Sequence, residues 1–265
     1  MDEQPDPTDL LFQMTSGLRP ADSQQGVMKA SFELDARHDA DELARRFAPD
    51  GRITIQSLLD AASALELHRM LRAREDWRQV IITDEKLFEL DRPTRAGLTR
   101  EQRDALDQAV YAGARRGFQA RYEAIRVPDS QKERKASDDP LARFAQWLSS
   151  GSMRDFLRTV TGEKSMAFAD CQATAYSPGD FLTGHDDAVH GKNRAAAYVF
   201  GLNPDWRLEW GGMLLFHEAG ETRADAIVPG FNQLNLFRVG QRHSVSEVTR
   251  AAAFRRYSVT GWLRS

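Results

Sequence analysis

The chain has 265 residues, 41% of them hydrophobic, which admits one large domain or two small ones with an ordinary buried core. Its 36 Lys and Arg are nearly balanced by 39 Asp and Glu, and a formal net charge of -3 excludes a global field that would recruit nucleic acid or an anionic membrane. The single Cys171 excludes an intrachain disulfide, and no apolar run approaches the roughly 20 residues needed to cross a bilayer. The acidic start MDEQPDPTDL also lacks the basic, then apolar order of a secretory leader, so a cytoplasmic location without a membrane span is expected.

In chain order, residues 1–25 are rich in Asp, Pro, Ser and Gln without periodicity and are expected to be a disordered tail. Residues 26–265 are expected to form a single domain, mainly helical with a few strands over 26–165 and strand-rich over 166–265. Asp41–Phe47 reads as a polar helix and Ile53–Gln56 as a strand. Ser57–Arg74 places Leu58, Leu59, Ala62, Leu65, Met70 and Leu71 near helical spacing, which predicts a core-facing helix.

Leu98–Arg126 predicts one long helix, opened by Thr99 in a capping position and carrying a basic stretch at Arg115, Arg116, Arg121 and Arg126 that suits a solvated face. Pro128–Pro140 is charge-dense and has the composition of a mobile loop, either a lid or a linker. Short helices are expected around Leu141–Leu148 and Met153–Val160.

From Met166 the texture becomes that of strands: Met166–Tyr176, Ala195–Leu202, Gly212–His217, Gln233–Phe237, Arg242–Val248 and Arg255–Leu263, punctuated by Gly and Pro. Many short strands without alternating helices argue for an antiparallel sandwich or barrel, and the order of elements fits an α+β chain with a jelly-roll core and helices packed on one face.

The sharpest chemical signal is Gly184-His185-Asp186-Asp187. In extended chain, residues two apart point to the same side, so His185 and Asp187 can share one metal while Asp186 faces away. His243, on a separate predicted strand, is the best-placed third ligand. Two imidazoles and one carboxylate on one face leave positions open and suit non-haem Fe(II), although a zinc hydrolase could use the same set. Arg256 and Ser258, again two apart, put a guanidinium and a hydroxyl on one side of a strand, where they can hold a distal carboxylate that a hydrolase does not need.

Taken together these residues resemble the prolyl hydroxylase branch of the Fe(II)/2-oxoglutarate oxygenases, particularly the intracellular prolyl hydroxylases that act on a ribosomal protein and their bacterial relatives. The resemblance runs in order through Tyr176, Gly179-Asp180, His185 and Asp187, then Arg194 and Leu202-Asn203-Pro204-Asp205-Trp206. It continues through Trp210-Gly211-Gly212, Pro229, Asn232, His243 and Arg256-x-Ser258 to Gly261-Trp262. It implies a double-stranded β-helix, with His185, Asp187 and His243 as iron ligands, Arg256 as anchor of the remote carboxylate of 2-oxoglutarate, and Tyr176 and Ser258 as its helpers. The implied reaction is hydroxylation of an aliphatic carbon with release of succinate and CO2. Fe(II) is the cofactor, 2-oxoglutarate and O2 are cosubstrates, and ascorbate is an optional addition.

A prolyl residue of a protein or peptide is the first expectation for the substrate. A free amino acid or small metabolite is the runner-up, a catalytically silent jelly-roll binding module a third reading, and nucleic-acid demethylation, motivated only by the basic stretch, a fourth. His217-Glu218 lacks the second histidine of a zinc protease, because Glu221 stands where it is required. Gly211-Gly212 reads as a turn between strands. His190 lies outside the same-face pair, and His38, His68 and His217 are read as surface or satisfied histidines. Cys171 reads as a small buried residue, and Trp206, Trp210 and Trp262 as core more than pocket.

Overall fold

The computed structural model describes residues 32–83, 86–189, 191–220 and 222–265. The tail expected over residues 1–25 lies outside them. Ser31–Ser265 forms a compact unit of its own.

Period-two alternation sets the architecture, and it is clearest in β13 (Arg256–Arg264). Tyr257, Val259 and Leu263 enter the main apolar core, while Arg256, Thr260 and Trp262 line a cavity on the opposite face. β6 (Gln172–Tyr176) does the same, with Ala173 and Ala175 in the core and Gln172, Thr174 and Tyr176 on the cavity. Side chains alternate across a strand, so one strand serves stability on one face and chemistry on the other.

The strands join in one curled, wholly antiparallel sheet. Its path runs from β1 (Arg52–Gln56) to β11 (Phe231–Arg238), β8 (Arg194–Leu202), β13, β6, β4 (Gln119–Arg126), β7 (Phe181–His185), β12 (His243–Val245), β9 (Leu214–His217) and β10 (Ala224–Ile227). β2 (Arg78–Thr83) pairs with β4 and with β3 (Leu87–Leu90), and β5 (Phe168–Ala169) pairs with β13. The curl folds the sheet over itself as a jelly roll. Helices α1 (Ala40–Phe47), α2 (Ala61–Ala73), α6 (Pro140–Leu148) and α7 (Gly151–Thr161) send Phe47, Leu67, Phe144 and Leu157 into the main core with the outward-facing residues of β6, β8, β11 and β13. The α+β jelly roll with helices on one face is therefore as expected.

Two expectations fail. The long helix over Leu98–Arg126 is instead α4 (Arg100–Ala114), following a short α3 (Arg92–Gly97), and then strand β4. The capping box between Thr99 and Gln102 is present, so the start was legible. Residues 119–126 are good helix formers, yet β4 is held between β2, β6 and β7 and every residue but Arg126 is buried, so tertiary pairing overrides propensity. The basic stretch is consequently no single face. Arg121 is buried against Asp180, at 3.2 Å, and Asp107.

The segment Pro128–Pro140 is likewise not an irregular loop. It contains α5 (Gln131–Ala136), capped by Ser130, and Arg134 is 1% exposed with its guanidinium donating to the carbonyls of Pro128 at 2.5 Å and Ala169 at 2.9 Å. An arginine that closes off two backbone carbonyls beneath the sheet ties this segment down, which argues against a lid.

Candidate active site

Two strand ends and a turn assemble the polar cluster. β7 and β12 pair antiparallel with His185 opposite His243, and their ring centroids are 4.2 Å apart. β7 ends at His185, and Asp187 adopts φ 63°, a left-handed conformation that Asp and Asn tolerate better than most residues. The turn, and not the pleat of a continuing strand, brings the carboxylate alongside the imidazoles. Asp187 Oδ1 lies 3.3 Å from His185 Nε2, and Oδ2 lies 3.4 Å from His243 Nε2. One ligand atom from each of the three residues falls within 4.8 Å of the others, the one such His/Cys/Asp/Glu group among the described residues. Asp186 is outside it, its carboxylate accepting the Ala188 N–H at 3.0 Å.

The imidazoles are oriented for ligation. His185 Nδ1 sits 3.0 Å from the Thr183 carbonyl and His243 Nδ1 2.8 Å from the Gln241 carbonyl. A carbonyl can only accept, so each Nδ1 carries a proton, which leaves Nε2 as the nitrogen that faces the cluster and can ligate. Burial pushes the His243 imidazole below its ordinary pKa, and the neighbouring His185 adds to this, which favours the neutral, ligating form. Burial alone would raise Asp187, but the His185 and His243 side chains that face its two oxygens outweigh it and hold the carboxyl below its ordinary value.

The cluster opens into a cavity of about 410 Å³ that Arg256 also lines. Arg256 is 4% exposed, donates to Ser258 Oγ at 3.3 Å, and lies 5.0 Å from the Tyr176 ring centroid. Among the described residues no carboxylate pairs with it. Ser258 Oγ in turn meets Thr174 Oγ1 at 2.9 Å, and Tyr176 stacks on Tyr122 with centroids 5.3 Å apart. Burial pushes the Tyr176 hydroxyl well above its ordinary pKa, so it remains an O–H donor at all ordinary pH.

Three buried donors on this cavity lack any hydrogen-bond partner: Arg256 Nε, Arg194 Nε and Trp262 Nε1. Each orphaned donor costs about 1–3 kcal/mol, so the cavity is built for something rich in acceptors. Two imidazoles with a carboxylate fit a ferrous ion, and an unpaired buried guanidinium fits the far carboxylate of a dicarboxylate.

All six residues singled out from the sequence, His185, Asp187, His243, Arg256, Tyr176 and Ser258, thus lie on this cavity or on the Arg256 side chain that lines it. Sequence reading undervalued Arg194 and Trp262. The Arg194 guanidinium stacks 3.5 Å from the Trp262 ring centroid and donates to the Asp187 carbonyl at 3.2 Å. Tyr122 and Phe118 were missed because they lay in or beside a predicted helix; the signal that could have found them was alternation in Gln119–Arg126. The remaining histidines are satisfied elsewhere: His38 by the Ser57 carbonyl at 2.9 Å, His68 by the Leu202 carbonyl at 2.7 Å and His217 by Ser244 Oγ at 2.7 Å. His190 lies outside the described residues. Cys171 is buried, and burial pushes its thiol up to about 12.

Residues 171–264 match the model of the 2OG-Fe(II) oxygenase superfamily. No curated protein matches the chain in sequence. Among solved structures, a Pseudomonas putida prolyl-4-hydroxylase superposes with a TM-score of 0.51 at 18% identity, covering 85% of this chain and 98% of its own. A 2OG-Fe(II) oxygenase family oxidoreductase from Burkholderia pseudomallei gives 0.55 at 15% identity, covering 87% and 92%. A Trichoplax adhaerens prolyl hydroxylase, solved with a peptide fragment of the hypoxia inducible factor oxygen degradation domain, gives 0.51 at 16% identity, covering 84% and 87%. At these identities the superpositions establish the fold, and the matched segment contains every residue of the polar cluster together with Arg256. Residues 171–264 are thus similar to the 2OG-Fe(II) oxygenase superfamily, in a chain that shares its fold with these solved prolyl-4-hydroxylase-like structures.

Proposed function

We propose that the protein is an Fe(II)- and 2-oxoglutarate-dependent dioxygenase that hydroxylates an aliphatic carbon, with a prolyl residue of a protein or peptide as the substrate and succinate and CO2 as coproducts. The observation that carries this reading is Arg256, a guanidinium buried without a carboxylate partner on the same cavity as the His185, Asp187 and His243 cluster. A hydrolase built on those three ligands has no use for a buried cation at that place.

In this reading the Nε2 atoms of His185 and His243 and the Asp187 carboxylate hold the metal, and Arg256 holds the distal carboxylate of 2-oxoglutarate through its planar fork. When bound, the ferrous ion supplies oxygen activation coupled to oxidation of the keto acid. The protein's contribution is orientation and exclusion of water. Ser258 receives one Arg256 N–H and so fixes the guanidinium plane, while Tyr176, stacked on Tyr122, offers an O–H that stays protonated. Phe118, Leu182, Val189 and Trp262 give the cavity apolar walls suited to an aliphatic ring.

No helix among the described residues is long and apolar enough to cross a membrane. A cytoplasmic setting is part of the proposal, supported by a single buried cysteine without a disulfide partner. The test is succinate release with Fe(II), 2-oxoglutarate and O2, with and without ascorbate, across proline-containing peptides, proteins and free amino acids, followed by mass spectrometry. Peptide-dependent succinate with one added oxygen on a prolyl residue is expected. Turnover only with free amino acids would transfer the assignment to a small metabolite, and binding of 2-oxoglutarate without any turnover would leave a binding module.

A further inference from the structure

A second cavity, of about 240 Å³, lies on the helical side of the sheet between α2, the loop that follows β8, and the residues that precede β13. Its polar lining is lopsided. Arg69 and Arg72, one helical turn apart on α2, are exposed, and neither has a hydrogen-bond or ion-pair partner among the described residues. Their charges, after burial itself, push the His68 imidazole on the same wall below its ordinary pKa, so they act on the cavity electrostatically. Arg255 also lines it but is already held by Glu123, and Asn203 is spent on the backbone of Tyr257 at 2.7 and 3.1 Å. The one carboxylate on the lining is Asp205, so two free guanidinium groups face a single acid. The lining also includes the half-buried Trp206 and Phe254, which is 44% exposed, each packed edge-on against Trp210 with centroids 5.5 and 5.8 Å away.

We propose that this cavity is a binding site, separate from the oxygenase cavity, for a small molecule that carries one planar ring and an oxyanion, a phosphate or a carboxylate. The two unpaired arginines select the oxyanion, because guanidinium forks match phosphate and carboxylate geometry. Trp206 and Phe254 select the ring, since aromatic side chains beside a cationic patch stack on a flat body. The volume falls below the roughly 300–1,000 Å³ of sites for drug-sized ligands, which limits the occupant to about one ring. The proposal does not rest on the oxygenase reading, because no residue of the cavity belongs to the metal cluster or to the Arg256 contact.

Isothermal titration with phenyl phosphate, benzoate and inorganic phosphate, each with and without excess 2-oxoglutarate, tests it. Saturable binding of phenyl phosphate or benzoate that 2-oxoglutarate leaves unchanged is expected, and the tighter of the two names the oxyanion. Arg69→Gln/Arg72→Gln should weaken that binding at least about tenfold while leaving the melting temperature in place, since both side chains are free of partners. Asp205→Asn should tighten it, a sign that no loss of folding produces. The proposal is overturned if neither ring compound saturates below ~10 mM, about the weak limit of specific small-ligand binding. Equal affinity in the double variant, weaker binding in Asp205→Asn, inorganic phosphate binding as tightly as the ring compounds, or displacement by 2-oxoglutarate would each overturn it as well.

Discussion

Arg256 should be a residue whose removal helps the empty protein and ruins the liganded one. Its side chain is 4% exposed and has Ser258 Oγ, at 3.3 Å, as its side-chain hydrogen-bond partner, while its Nε is orphaned. Burial pulls the guanidinium below its ordinary pKa with only Tyr176 opposing, so the empty fold carries an incompletely solvated charge. Replacing such a charge with an apolar side chain of similar length is often stabilising by about 1–4 kcal/mol. Arg256→Met should therefore raise the melting temperature of the ligand-free protein, at about 2–4 °C per kcal/mol for a chain of this size.

In the liganded protein the sign reverses. Each charge-assisted hydrogen bond contributes about 1.5–3 kcal/mol, so loss of a two-pronged contact costs about 3 kcal/mol at the low end, on the order of a hundredfold in 2-oxoglutarate affinity. Arg256→Lys should recover only part of this, because an ammonium lacks the planar fork. Calorimetric titration with 2-oxoglutarate, paired with thermal melts of the empty and loaded protein, reads both effects. Unchanged 2-oxoglutarate affinity in Arg256→Met, or a melt of the empty variant several degrees lower than that of the native chain, would refute the reasoning.

Asp187→Asn should abolish Fe(II) or Mn(II) binding in a metal titration yet leave the melting temperature of the metal-free protein within a few degrees, because Asn also tolerates the φ of 63°. Asp187→Ala adds backbone strain of about 1–2 kcal/mol and should melt lower than the Asn variant; the reverse order would contradict the turn geometry. Cys171, with its thiol pushed up to about 12 by burial, should resist a thiol reagent at pH 8 until denaturant unfolds the chain, and prompt labelling of the native protein would count against its burial. Burial pushes the Asp180 carboxyl up to about 7 from its ordinary 3.8, against the charge of Arg121. Its contribution to stability is therefore full below its unfolded value and lost as pH rises through about 7. The stability difference between the native chain and Asp180→Asn, followed by urea denaturation from pH 5 to pH 8, should shift in favour of the variant as pH rises; a difference independent of pH would show that Asp180 is ionised throughout.

The site was more legible than the fold around it because its residues sit where chain chemistry is local. His185 and Asp187 are two apart, Arg256 and Ser258 are two apart, and each pair announces itself without knowledge of what packs against it. Asp187 nonetheless reaches the imidazoles by a route that strand parity does not describe, since a left-handed turn, and not a continuing strand, delivers its carboxylate. β4 was illegible for the opposite cause. Its residues Ala120, Arg121 and Glu123 favour a helix in isolation, and only pairing with three strands remote in sequence makes them extended. Its buried charges are settled equally far away, Glu123 by Arg95 at 2.7 Å and by Arg255, and no window of local sequence contains those partners.

The same distinction explains why Arg255 and Arg256, adjacent and chemically identical, meet opposite fates. Arg255 points to the helical side, where Glu123 neutralises it and the Trp77 and Tyr257 rings flank it at 5.3 and 5.4 Å. Arg256 begins β13 on the cavity side, where Tyr176, Thr174 and Ser258 surround it and none carries a negative charge. A fold selected for stability alone would supply an acid for the second arginine as it does for the first. Leaving that cation unpaired, on the cavity that also holds two imidazoles and a carboxylate, makes sense when the missing anion arrives from solution.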